Sequence, residues 1–200
     1  MYFSAHPLKR LFLLITATAS ISFAAPAQEA PPTSATQDSP PSAEQQQIAR
    51  SMNYMLRRAE LTRTLAAQHL KYIMSNRENS KIRLIEDASQ VMAFDQICAD
   101  DQIDSQSLNQ IAADITFRIA MLAGKSPIAP RLTELARKQT VEERMALIGD
   151  ISTTVLMFEI GRRRGLFDAL LTDFGQKRFC TGMRTDMRTR FNEMITSLGD

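Results

Sequence analysis

The residue types able to do chemistry in this chain are few. Cys98 and Cys180 are the only two cysteines. Each ends an apolar stretch, Phe94 to Cys98 and Phe179 to Cys180, so both can reach the rim of a core. Neither has a CxxC partner or a neighbour that would stabilise a thiolate, and the expected outcome is one structural disulfide rather than a redox site. Three methionines at Met183, Met187 and Met194 share a helical face, an arrangement that suits Cu(I) in an oxidising compartment. They also coincide with the stripe of Phe191 and Leu198, where methionine is an ordinary core filler, and that reading is favoured. His69 is a single imidazole inside a long helical pattern, without a nucleophile or ligand at matching spacing. No GxSxG, HExxH, CxxC, Walker loop or GxGxxG occurs. No catalytic residue, metal ligand or cofactor is therefore assigned.

Cations offer the remaining possibility. Between Arg50 and Arg83 the chain is strongly basic, whereas from Glu86 to Asp114 it holds acids and no Lys or Arg. Mutual neutralisation of the two segments is the favoured expectation. The sharper alternative is an anion-binding face made of Arg57, Arg58, Arg63 and Lys71, with the run Arg162-Arg163-Arg164 as a second basic cluster. That run stands between Gly161 and Gly165 at an expected helix end, where cations complement the helix dipole.

The elements that must position these groups are helices. Ser42 and Gln45 have the spacing of a capping box, just after Pro40-Pro41. Ile48, Met52, Met55, Ala59, Ala66, Leu70 and Ile73 then recur at helical steps, predicting one long helix to about Ser75. A second helix follows Asn76 to Ser80 and carries Ile82, Ile85, Ser89 and Met92. The spacing predicts a third from Ser107, capped by Gln110 and striped by Leu108, Ile111, Ile115, Ile119 and Leu122. Gly124 and Pro127 stop it. A short helix bears Ile128, Leu132 and Leu135. Thr140 and Glu143 form another capping box, opening a helix through Ile148, Ile151, Val155 and Phe158 to the Gly161 region. Beyond it, Gly175 and Gly182 leave open whether the C-terminal part is one helix or two. No segment alternates with period two between hairpin turns. The expected fold is all-α, an irregular bundle of about five to seven helices in a single domain over 43–199.

In front of that domain, Lys9 and Arg10, the apolar run Leu11 to Phe23, and Ala24, Ala25 and Ala27 follow the order of a secretory signal peptide. The run is shorter than the roughly 20 residues of a membrane span. Residues 1–27 are thus read as a cleaved signal peptide, with Gln28 the new first residue. Residues 28–42 are rich in Pro, Ser, Thr, Ala and Gln and read as a disordered leader. The expected location is the bacterial periplasm or the medium. The chain has 24 Lys and Arg against 22 Asp and Glu; removal of Lys9 and Arg10 leaves no net charge. A nucleic-acid partner, which a basic excess would signal, is not expected.

Two function classes follow. The first is a non-catalytic exported protein of the cell envelope that binds another protein or an envelope component, or assists assembly. The second is a small helical periplasmic enzyme whose cationic pocket between helices stabilises an anionic small molecule. In composition Arg57, Arg58, Arg63 and Lys71 followed by Ile85-Glu86-Asp87 resembles the secreted chorismate mutases in style only. The Arg-Glu pair of that family is missing, because Ala88-Ser89-Gln90 stands after the acidic turn. No family is assigned on this basis.

Overall fold

The computed structural model describes residues 42–198. The leader 1–27, nearly all of the tether 28–42 and residue 199 lie outside the described residues. Six helices make up the rest: α1 (Ala43–Ser75), α2 (Ser80–Cys98), α3 (Ser105–Ala123), α4 (Ala129–Ala136), α5 (Val141–Phe174) and α6 (Gln176–Leu198). The described residues form an all-α bundle without a strand, and none of their helices is long and apolar enough to cross a membrane.

Local chemistry sets the helix starts. At Ser42 the hydroxyl accepts from the Gln45 amide at 3.2 Å while the Gln45 side chain accepts from the Ser42 amide at 2.8 Å. Thr140 and Glu143 repeat this box at the start of α5, at 3.2 and 2.8 Å. Each box satisfies two of the amides that the first helical turn leaves free. Asn79 caps α2 by accepting from the Lys81 amide. The start of α3 differs from expectation: Asp104 rather than Ser107 is the cap, and its carboxylate accepts from the Ser107 amide at 2.8 Å. An aspartate three residues upstream captures that amide and adds a turn before the apolar stripe begins.

Helix α5 is the hub, packed against α1, α2 and α3, while α2 also packs against α6. Its length corrects the sequence reading. The helix does not end near Gly161 but runs through Gly161 and Gly165 to Phe174. The burial of Leu156, Ile160 and Phe167 on either side of the glycines offsets their weak helix propensity. The chain breaks instead at Gly175, whose φ of 76° favours glycine, and Gly182 lies inside α6. The C-terminal part is therefore two helices, with the break one residue long.

One continuous core joins the elements. Ile85, Val91 and Phe94 of α2 meet Ile111, Ile115 and Ile119 of α3, Ile151 and Val155 of α5, and Met187 and Phe191 of α6. Met187 and Met194 are buried in this cluster and Met183 packs against it, so their thioethers act as core filler. Cys98, the last residue of α2, is bonded to Cys180 near the start of α6, with Cα atoms 5.7 Å apart. Phe179 beside it lies 5.2 Å from Phe167 and 6.3 Å from Phe94, ring centre to ring centre. The disulfide thus closes over an aromatic cluster shared by α2, α5 and α6.

Candidate functional site

The charged groups fix what kind of site is present. Glu159 is almost fully buried in α5, where its carboxylate accepts from Arg162 at 2.5 and 2.8 Å and from Arg163 at 3.1 Å. Burial alone would raise its pKa, but the two guanidinium groups outweigh it and hold the carboxyl below its ordinary value. Arg163 also pairs with Glu86 at 3.2 Å, and Arg164 donates to Gln96. The three arginines thus stand in the middle of a helix and bind acids or amides of α2 and α5. The helix-end account of this run is replaced by an internal one.

The other cations lie elsewhere. Arg58 donates to Asp150 of α5 at 2.6 Å, Arg63 pairs with Glu60 one turn away at 2.9 Å, and Lys71 is exposed. Arg57 and Arg58 line one small cavity together, whereas the remaining five of the seven cations do not line it.

The acidic segment finds its partners mostly outside the basic helix. Asp100, whose side chain is buried, is held by Arg184 at 3.0 Å and Arg188 at 2.7 Å. Burial opposes its ionisation, and the bonds from Arg188 and the Gln102 amide more than reverse that, lowering its pKa. Arg190 reaches Asp87 and Asp186, and Asp114 pairs with Arg118 within α3. From the basic stretch, Arg77 reaches Glu86 at 2.8 Å. Neutralisation of the segment is therefore the work of α5 and α6 more than of α1, because α1 lies against α5 and α2 against α5 and α6.

His69 is fully buried. Its Nε2 donates to the Ile119 carbonyl at 2.9 Å, while Nδ1 has no partner in the described structure. Burial lowers its pKa, with the carbonyl bond acting weakly the other way, so the ring is neutral. It joins α1 to α3 and touches no cavity among those described.

A mostly apolar cavity of about 540 Å³ lies where the end of α3, α4 and the first turns of α5 meet. Its walls are small: Ala120 and Ala123 from α3, Gly124 at the C-cap of α3, Ala129 and Ala136 from α4, with Leu132, Leu147 and Ile148 beside them. Short side chains on facing helices leave room that larger ones would fill. The polar groups in the wall are Thr133, Gln139 and Arg144. Arg144 already donates to the Thr140 carbonyl at 3.4 Å. Gln139 contributes a side-chain Oε1 that is buried and has no hydrogen-bond partner among the described residues. It stands in the wall shared with a second cavity of about 260 Å³ that also holds Tyr54, Arg57 and Leu61 of α1. Val141 and Met145, 58 % and 65 % exposed, form the outer lip.

No protein-family model matches the chain, and neither a curated protein nor a solved structure matches it.

None of the residues lining the larger cavity was a candidate site residue in the sequence. The legible signal was the concentration of alanine and glycine from Ala120 to Ala136, small residues on what the periodicity already marked as packed helices.

Proposed function

We propose that this chain is an exported, non-catalytic helical protein of the bacterial cell envelope. In this reading it acts in the periplasm as a binding or assembly factor, and the α3–α4–α5 cavity takes an apolar side chain from a partner polypeptide. The observation that carries it is a mostly apolar, open-mouthed cavity whose wall includes Gln139, a residue with a buried, unpartnered side-chain oxygen. A buried acceptor without a donor costs free energy until one arrives, and a peptide N–H beside an apolar side chain supplies both needs at once. The lip of Val141 and Met145 extends the apolar contact outward. Engagement of Arg162, Arg163 and Arg58 by internal carboxylates weighs against an anionic small molecule as the ligand.

Export is supported by the leader's charged, apolar and small-residue order, and by a cysteine pair that is bonded. N-terminal sequencing of periplasmic material should give Gln28 or a residue near it; a full-length membrane-bound product would refute export with cleavage.

The binding reading is tested by placing a photo-reactive residue at Thr133, on the cavity wall, in producing cells. A discrete cross-linked polypeptide is expected, and Ala136→Trp, which fills the cavity, should abolish it while leaving the melting temperature of the purified protein nearly unchanged. Absence of any product, or a product indifferent to the tryptophan, overturns the assignment.

A further inference from the structure

Two adjoining cavities share a wall and differ in chemistry. Gln139 and Leu147 line both. On one side of them is the apolar cavity of about 540 Å³; on the other is the cavity of about 260 Å³ lined by Tyr54, Arg57 and Arg58 of α1. No aspartate or glutamate lines either one. The arginines around them are not equivalent. Arg58 is held by Asp150, and Arg144 donates to the Thr140 carbonyl. Arg57 forms no ion pair or hydrogen bond with another described residue, and Glu60, one turn further along α1, is taken by Arg63 through both carboxylate oxygens. The Gln139 side-chain amide likewise makes no hydrogen bond among the described residues. An unpaired guanidinium and an unpaired amide thus stand beside an apolar hollow.

We infer that the partner polypeptide is bound by its C-terminal residue, with the apolar side chain in the larger cavity, the terminal carboxylate against Arg57 in the smaller one, and the last peptide group against Gln139. This rests on the reading of the α3–α4–α5 cavity as a polypeptide site. Charge and connectivity together choose the occupant. A free guanidinium in a wall without acids is complementary to an anion, and its planar fork matches a carboxylate through two parallel hydrogen bonds. In a polypeptide only the last residue carries an apolar side chain, a peptide N–H and a carboxylate on one Cα. Those three groups diverge from a single atom, as the two cavities diverge from the wall of Gln139 and Leu147.

A fatty acid fits less well. It supplies an apolar chain and a carboxylate, but it has no N–H or amide carbonyl for Gln139, and covering that amide without pairing it costs free energy.

The probes are acetylated hexapeptides ending in alanine, valine, leucine, methionine or phenylalanine, each made with a free and with an amidated C-terminus. Calorimetric titration into the purified exported protein reads their binding. At least one free-acid peptide should bind about tenfold or more tightly than its amide, the scale of a hydrogen-bonded charge. Arg57→Gln alters an exposed residue and should keep the wild-type circular dichroism, yet it should bring the free acid down to the level of the amide. Arg50→Gln removes the same charge about two turns earlier on α1 and should leave binding nearly unchanged. Ala136→Trp should abolish the binding of both forms.

Equal affinity for free acid and amide overturns the C-terminal assignment and leaves the larger cavity as a site for apolar side chains. A preference for the free acid that survives Arg57→Gln overturns it as well. So does failure of every peptide, and so does palmitate that binds more tightly than any peptide, which gives the cavities to a lipid. In those last two cases the cross-link at Thr133 decides separately whether a polypeptide enters the larger cavity.

Discussion

The imidazole of His69, in α1, donates from Nε2 to the backbone carbonyl of Ile119, in α3, at 2.9 Å and without access to water. That bond ties the buried middle of α1 to α3. A neutral ring fulfils this role; a protonated one would bring a charge into the core beside an Nδ1 that has no acceptor.

Acid should therefore weaken the fold through His69. Burial lowers the folded pKa below the ordinary 6.5, so the unfolded chain takes up a proton first as pH falls. The contribution is complete above about pH 6.5 and declines below it, until the folded pKa is reached. A single proton limits the slope to about 1.4 kcal/mol per pH unit. Urea unfolding between pH 8 and pH 5 should show this decline in wild type, and His69→Leu should flatten it. An equal decline in both proteins would assign the effect to other groups.

A separate decline belongs to Glu159 and Asp100. Both have depressed folded pKa values, so their stabilisation is present above the ordinary carboxyl range and is lost as pH falls through the folded values. At neutral pH, Glu159→Ala should cost about 3 kcal/mol, because it leaves Arg162 and Arg163 without the buried carboxylate that joins them. Chemical denaturation measures it. A loss under about 1 kcal/mol, the range of an exposed pair, would mean that water replaces the carboxylate.

The starts of α1 and α5 were legible because a cap is local: Ser42 with Gln45 and Thr140 with Glu143 contain both halves of their hydrogen-bond pairs within four residues. The disulfide was legible from the expected compartment and the count of two cysteines. Charge partners were not. Arg163 and Glu86 are far apart in sequence, and the basic and acidic blocks suggested a pairing of neighbours that the packing of α2 on α5 and α6 replaces. Nor did the apolar stripe of α1 reveal that it is buried only from Thr62 onward. Periodicity reports which side of a helix is apolar and not how far its neighbours extend.

Removing the Cys98–Cys180 bond should lower stability while leaving the fold assembled. The bond joins positions 82 residues apart, and in the chain-entropy account a loop of that size is worth about 4 kcal/mol. The two half-cystines also stand beside the Phe94, Phe167 and Phe179 cluster, which should persist without the bond. Cys98→Ser with Cys180→Ser should therefore melt cooperatively at a lower temperature with unchanged helical circular dichroism. An unchanged melting temperature would show that the bond carries no stability.

Gly175 and Gly182 were indistinguishable as helix breakers in the sequence, and opposite outcomes are expected when each becomes alanine. Gly182 lies within α6, and a Cβ added there meets nothing within 4 Å. Alanine restores helix propensity without a clash, so Gly182→Ala should stabilise the protein by about 0.5 to 1 kcal/mol. A Cβ at Gly175 also meets nothing within 4 Å, so space is not what excludes a side chain. The φ of 76° is, since the residue must turn the chain from α5 into α6 in a single step. Gly175→Ala should cost about 1 kcal/mol or more, because the strain is paid in the folded state only. The loss should appear in α6 first, whose start is also tied to α2 by the Cys180 bond and by the Gln176 side chain donating to the Ile97 carbonyl at 2.9 Å. Hydrogen exchange of the α6 amides, compared between the two variants, separates the cases. Faster exchange confined to the beginning of α6 in Gly175→Ala, with slower exchange in Gly182→Ala, is the expected pattern; equal effects at both positions would mean that the turn at Gly175 relaxes to accept any residue.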